Sequence, residues 1–161
     1  MTVTPAILVR RARLADVPTV VAMASQDDLR TAGTEDDPHH PAYAEAFAHI
    51  DAEPDNAVFV AEVGGRIVGT FQRTFVRHLL RRGYLACHVE SVFVDVDARS
   101  AGVGTAMMRF AIDEATARGC LRIQLTSQKV RTRAHAFYER LGFVATHEGM
   151  KLWLRSTTPS T

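Results

Sequence analysis

The sequence predicts a single α/β domain built around a mixed sheet. Three observations carry this. Apolar residues make up 47% of 161 positions, enough for one packed core. Strand-like and helix-like runs alternate in the order β-α-α-β-β-β-α-β-α-β. Gly64-Gly65, between two β-rich runs, supplies a tight hairpin turn. No repeat or linker interrupts this order, so residues 1–161 read as one domain. The core is expected over about 6–154, with 155–161 a disordered tail.

The elements follow in turn. Ile7 to Ala12 reads as a first strand. In the next run Asp16 can cap a helix and Pro18 suits its first turn. Thr31 to Pro41 is a polar loop, and Ala42 to Ala52 a second helix. Asn56 to Val63 and Arg66 to Val76 form the hairpin. A turn at Leu80 to Gly83 leads into a long strand, Tyr84 to Asp95. Thr105 to Arg118 is helical and closed by Gly119. Leu121 to Thr126 is strand-like, and Thr132 to Arg140 is helical with Gly142 as its stop. Phe143 to Leu154 is expected to be the last strand region.

Composition excludes several function classes. A net charge of +1 argues against a dedicated nucleic-acid binder. Cys87 and Cys120 lie in apolar runs and form no CxxC pair, which fits reduced core thiols in a cytoplasmic protein and gives no zinc site. His39 and His40 lack the spaced Cys or carboxylate partners a metal site needs. The first residues lack the apolar core of a signal peptide. No apolar stretch approaches the roughly 18 residues of a membrane span.

The run Arg99-Ser100-Ala101-Gly102-Val103-Gly104 stands between the long strand and a helix with Met107, Met108, Ala111, Ile112 and Ala115 on one face. The first N–H groups of a helix have no internal partner, and the helix dipole makes that end positive. Two glycines allow close approach to the backbone, Arg99 adds a cation and Thr105 a hydroxyl. No acidic residue occurs between Arg99 and Ile112. The loop therefore suits a phosphate. It can equally be a glycine-bearing connector. It is neither a Walker loop nor GxGxxG.

A second run, RTRAHAFYERLGF from Arg131 to Phe143, places Ala134, Phe137, Tyr138 and Leu141 on one helical face. By itself this is a core stripe ending in a glycine cap. The two runs together, in this order, closely resemble the GNAT N-acetyltransferase superfamily. VFVDVDARSAGVG matches its Arg/Gln-x-x-Gly-x-Gly/Ala pyrophosphate loop. AHAFYERLGF matches its Ala-x-x-Phe-Tyr-x-x-x-Gly-Phe helix. The resemblance covers residues 6 to 154 in topology and is strong in motif from Glu90 to Phe143. QLTSQKVRTRAHAFYERLGFVATHEG is similar to a group of small bacterial members.

The resemblance implies a central sheet of about six or seven strands flanked by about four helices. It implies acetyl-CoA as co-substrate, with no metal, in a gap between the strands ending at Asp95 and near Ser127. Phe93 and Val94 would pair with the pantetheine arm. Arg99 and the amides of Ser100, Ala101, Gly102, Val103, Gly104 and Thr105 would hold the pyrophosphate. Arg131, Ala134 and Phe137 would flank the arm, with Arg131 standing where many relatives carry Asn and able to reach a phosphate. The acceptor would be a primary amine of a small molecule or peptide, and a homodimer is open.

Amine attack needs a proton acceptor, and the departing thiolate needs a donor. Tyr138 matches the superfamily's donor; its other reading is a core tyrosine bonded to backbone. Glu90 is the candidate base, with His88 on the same face by period two unless a bulge intervenes. Each also reads as an ordinary strand residue. His135 reads as a solvated helix residue. The acceptor pocket is expected from Gln26 to Ala52 and the turn near Leu79 to Tyr84. Asp27, Asp28, Glu35, Asp36 and Asp37, with His39 and His40, favour a cationic amine there, and a solvated acidic loop explains the same residues equally well. Two other functions stay open: an acetyl-CoA-binding regulatory module without catalysis, and acyl transfer to a non-amine acceptor.

Overall fold

The structure, a computed structural model, describes residues 6–27 and 37–154. Strand β1 (Ile7–Arg11) is followed by α1 (Val17–Ala24) and α2 (Pro41–Ala52). The hairpin β2 (Asn56–Val63) and β3 (Arg66–Arg77) leads through a single turn, α3 (Leu80–Gly83), to β4 (Leu85–Val94). Then come α4 (Val103–Ala117), β5 (Arg122–Leu125) and α5 (Thr132–Arg140). The strands lie in the order β1-β2-β3-β4-β5. The first three pairings are antiparallel and β4–β5 is parallel, so the sheet is mixed as expected.

The core lies between the sheet and α4. Phe59, Phe71, Phe75, Cys87 and Val89 pack against Val103, Met107, Met108, Ala111 and Ala115. Close approach is possible because Gly69 has no side chain: a Cβ there would lie 2.8 Å from Met107 Sδ. Arg73, buried in this layer, pairs with Glu114 of α4 at 2.7 Å and stacks over Phe75. Helices α1 and α2 cover the other side of the sheet.

Three sequence expectations are corrected. The sheet has five strands among the described residues, rather than six or seven. The segment expected to be the last strand, Phe143 to Leu154, has no ladder partner there. It has strand-forming residues at both ends but breaks at the polar run Thr146-His147-Glu148-Gly149, and a strand exists only where a neighbour takes its backbone hydrogen bonds. Asp16 does not cap α1 with its side chain. Its carboxylate instead accepts from Arg13 N at 2.8 Å and from Arg10 at 2.7 Å. The expected acids Asp28, Glu35 and Asp36, and the tail 155–161, lie outside the described residues.

Candidate active site

The mouth between β4 and α4 is shaped by its backbone. Asp95 accepts from Asp97 N at 2.9 Å and fixes a 3-10 turn, Val96–Ala98. Ser100 and Gly102 then take left-handed conformations, φ 67° and 82°. Gly102 is the N-cap of α4 and offers no side-chain cap, and no acid stands in the first turn. The helical ladder begins with Ala106 N donating to Gly102 O at 3.0 Å. The amides of Val103, Gly104 and Thr105 precede it and point out of the helix end, where an anion is favoured. Arg99 and the residues up to Gly102 are exposed.

The second motif meets the first at Gly104. A Cβ on Gly104 would lie 3.2 Å from Phe137 Cζ, so the missing side chain admits the α5 ring to the start of α4. Between the two helices the sheet opens. β4 and β5 pair only from Ala86↔Arg122 to Val89↔Leu125. β4 continues to Val94 with no strand on that side among the described residues, which leaves its Glu90–Phe93 edge without a ladder partner there.

On β4 a bulge sets the orientation of the site. Thr70 pairs with Phe93, Gln72 with Glu90 and Thr74 with His88, so Ser91 and Val92 together face Phe71. Ser91 has φ 53°, the left-handed value such a bulge requires. The bulge falls after Glu90, so it leaves the shared face of His88 and Glu90 intact and turns Phe93 onto that face. His88 Nε2 is buried with no hydrogen-bond partner among the described residues. Burial pulls its pKa below the usual 6.5, with the Glu90 charge opposing. His88 is thus a neutral imidazole with an unused ring nitrogen, beside an exposed carboxylate.

A cavity of about 430 Å³ opens beside this face, lined by Val21, Tyr43, Phe71, Gln72, Ser91 and Phe93 among others. It draws on α1 and β3 as well as the expected α2. Leu79 and Leu80 are exposed and do not line it. His39 and His40 do not line it either; His40 Nδ1 accepts from Ala42 N at 3.2 Å and caps α2. A more open hollow of about 810 Å³ between Arg10, Arg13, Phe47 and Asp51 contains none of the motif residues.

On α5, Ala134, Phe137 and Tyr138 are half-buried along the face that packs on the core. The Tyr138 ring sits between Phe137, 5.1 Å away, and Phe143, 5.7 Å away. Burial raises the phenol's pKa above 10, with Arg131 opposing. No hydrogen bond to its hydroxyl is formed among the described residues, and its ring packs against the core. Arg131, at the start of α5, forms an ion pair with Asp27 at the end of α1. His135 Nε2 lies 3.0 Å from Gln128 O in an exposed contact. The bulge residue Ser91 and the cavity residues Val21 and Gln72 were not identified from sequence. The sequence signal available was a lone serine within a β-branched run.

The fold and site define a protein with a helix start free of acidic residues, a parallel strand pair that parts after Val89 and Leu125, and a cavity beside the strand face of His88 and Glu90. Residues 23–143 match the Acetyltransferase (GNAT) family, and the chain belongs to that family. It is 34% identical over 95 residues to a glucosamine 6-phosphate N-acetyltransferase from Trypanosoma brucei brucei, a match spanning 59% of this chain and 63% of that one. A transcriptional regulator from Bacillus halodurans C-125 is 37% identical, with a TM-score of 0.87 over 92% of this chain and 100% of that chain. A Clostridium acetobutylicum predicted acetyltransferase crystallised with acetyl-CoA shares the fold, with TM-score 0.72 at 19% identity over 92% of this chain and 97% of that chain.

Proposed function

We propose that the chain is an acetyl-CoA-dependent N-acetyltransferase that moves the acetyl group directly to a primary amine of a small molecule or peptide. The observation that carries this is the convergence of the two motifs at the Gly104–Phe137 contact, on either side of the unpaired β4 edge. One helix start offers amides to a pyrophosphate. The free edge at Phe93 and Val94 offers backbone groups to an amide-bearing arm. Arg99 reaches the phosphates, and Ala134, Phe137 and Arg131 flank the arm, Arg131 keeping Asp27 as its partner.

The chemistry then needs protons to leave the amine nitrogen and one to reach the departing sulfur. An alkylamine has a pKa near 10 if lysine-like and arrives mostly protonated. His88 or Glu90 accepts that proton, directly or through water. The amine nitrogen attacks the thioester carbonyl and the C–N bond forms; the nitrogen gives up its second proton to solvent as the intermediate collapses and the C–S bond breaks. The thiolate leaves with the proton of Tyr138, whose raised pKa keeps it protonated at neutral pH. The phenolate is then reprotonated from solvent.

Acetyl-CoA binding tests this reading. At a hundredfold excess over its dissociation constant the ligand stabilises the fold by about 2.7 kcal/mol, read as a rise in melting temperature. Gly102→Asp, which puts a carboxylate at the helix start, abolishes the rise. A folded Gly102→Asp variant that binds acetyl-CoA normally would overturn the assignment of the loop. The second reading, a non-catalytic acetyl-CoA-binding regulator, is favoured by the likeness to the Bacillus protein. It shares the binding result and lacks turnover.

A further inference from the structure

The cavity beside the bulge of β4 has a lining that discriminates among amines, a step that rests on the acetyltransferase reading. Its aliphatic wall is Val20, Val21 and Ala24 of α1 with Val58 of β2. Tyr43, Phe71 and Phe93 add rings. No charged side chain stands among the described residues that line it. A phosphate or carboxylate carried into this space loses water and gains no counter-ion, and burying a charge unpaired is costly. A cationic amine meets the opposite situation. Gln72 lines the cavity and stands opposite Glu90 in the β3–β4 register, so a cation drawn to Gln72 lies next to a carboxylate.

Hydrogen bonds within the sheet orient the polar part of the lining. Thr70 Oγ1 is spent on Phe59 O, to which it donates at 2.9 Å. Gln72 Nε2 donates to Asn56 Oδ1 at 2.9 Å, and Thr74 Oγ1 donates to the same oxygen at 3.3 Å. The Gln72 amide is thereby held with its nitrogen toward Asn56, and its Oε1 accepts no hydrogen bond among the described residues. We propose that the acceptor is a primary amine on an apolar, uncharged body, an alkyl or arylalkyl amine, and that Gln72 Oε1 receives its N–H beside Glu90. The aliphatic wall and the rings take the body, and the one oriented carbonyl takes the nitrogen that is to be acetylated. Gln72 is then a specificity-determining residue that touches the acceptor.

A matched pair of amines tests this on the wild-type chain. Phenethylamine and its para-carboxylate, aminoethylbenzoate, share one skeleton and differ by a charge on the ring. Thiol release from acetyl-CoA is expected with a kcat/KM about 10²-fold higher for phenethylamine, and glucosamine 6-phosphate should fall with the benzoate. Calorimetry on the complex with coenzyme A should show the same order of binding. Val20→Arg puts a cation into the wall at a half-buried position of α1 and should narrow the gap about tenfold. Gln72→Leu should lower kcat/KM for phenethylamine about tenfold while the melting shift with acetyl-CoA is kept. A kcat/KM for glucosamine 6-phosphate or the benzoate that equals or exceeds that for phenethylamine overturns the proposal and leaves acetyl transfer standing. A folded Gln72→Leu variant with full kcat/KM overturns the role of Gln72. If no amine is acetylated, the acetyltransferase reading fails and calorimetry decides for the cavity: phenethylamine bound in preference to the benzoate supports the selection, and equal or absent binding overturns it too.

Discussion

Tyr138 and His88 show how burial sets the charge of a reactive side chain. Taking the phenol out of water disfavours the phenolate, so Tyr138 holds its proton at neutral pH. Burial also disfavours the imidazolium, so His88 stays neutral. One is left as an acid and the other as a base. Tyr138→Phe keeps the ring between Phe137 and Phe143 and removes the hydroxyl. Acetyl-CoA affinity should be unchanged and kcat should fall by about 10²–10⁴-fold, a loss read by steady-state kinetics beside calorimetric binding. A variant with full turnover under rate-limiting chemistry would return Tyr138 to a packing role. If His88 is the base, kcat/KM falls with acid only below pH 6.5, since its folded pKa is depressed and the base must be unprotonated. A His88→Gln profile that keeps the same acid limb would assign the proton to Glu90 or water. The packed face of α5 that carries Tyr138 was legible in the sequence because its residues form a contiguous motif. The partner of Arg131 was not, since Asp27 lies 104 residues away and only the fold brings them together.

Elements were legible where local periodicity decides them. β2 runs from Asn56 to Val63 and α5 from Thr132 to Arg140, as the pattern indicated, because each is bounded by glycine, a turn or a charged cap. The last strand was not, because alternation shows only that a segment suits a sheet. Whether a partner edge is available is a property of the whole fold. The glycines of the site divide by cause. Gly102 is needed for its left-handed backbone, Gly104 and Gly69 for space. Gly69→Val forces new atoms against Met107 and Val103 and should cost about 1–3 kcal/mol in chemical denaturation. An unchanged midpoint would mean that α4 can shift away from β3 freely. Asp16 holds β1 to the start of α1 through Arg10. The Arg10 hydrogen bond, against a desolvation that opposes it, lowers the Asp16 pKa below 3.8. The unfolded chain therefore takes up this proton first as pH falls. The stabilisation is complete above pH 3.8 and lost below it as pH falls through the folded pKa. Asp16→Asn should flatten that part of the stability profile, and an unaltered profile would show that the pair contributes nothing.

At the scale of the molecule, one sheet does two jobs. Its α4 face is a closed apolar core that fixes the strands, and its other face carries the cavity together with His88 and Glu90. The family could be read from two motifs in order, since a helix start and a helix face each have a sequence signature. The cavity could not, because Val21, Tyr43, Gln72 and Ser91 come from separate elements with no common pattern. The most direct measurement is release of free thiol from acetyl-CoA against a panel of primary amines. Amino sugars and their phosphates belong in it, given what the Trypanosoma relative is named for, as do arylalkylamines and peptide amines. The expected result is thiol release that requires one class of amine, a product heavier by one acetyl group on nitrogen, and loss of both in Tyr138→Phe. Tight acetyl-CoA binding with no amine-dependent thiol release from any member of the panel would contradict acetyl transfer and leave a binding module.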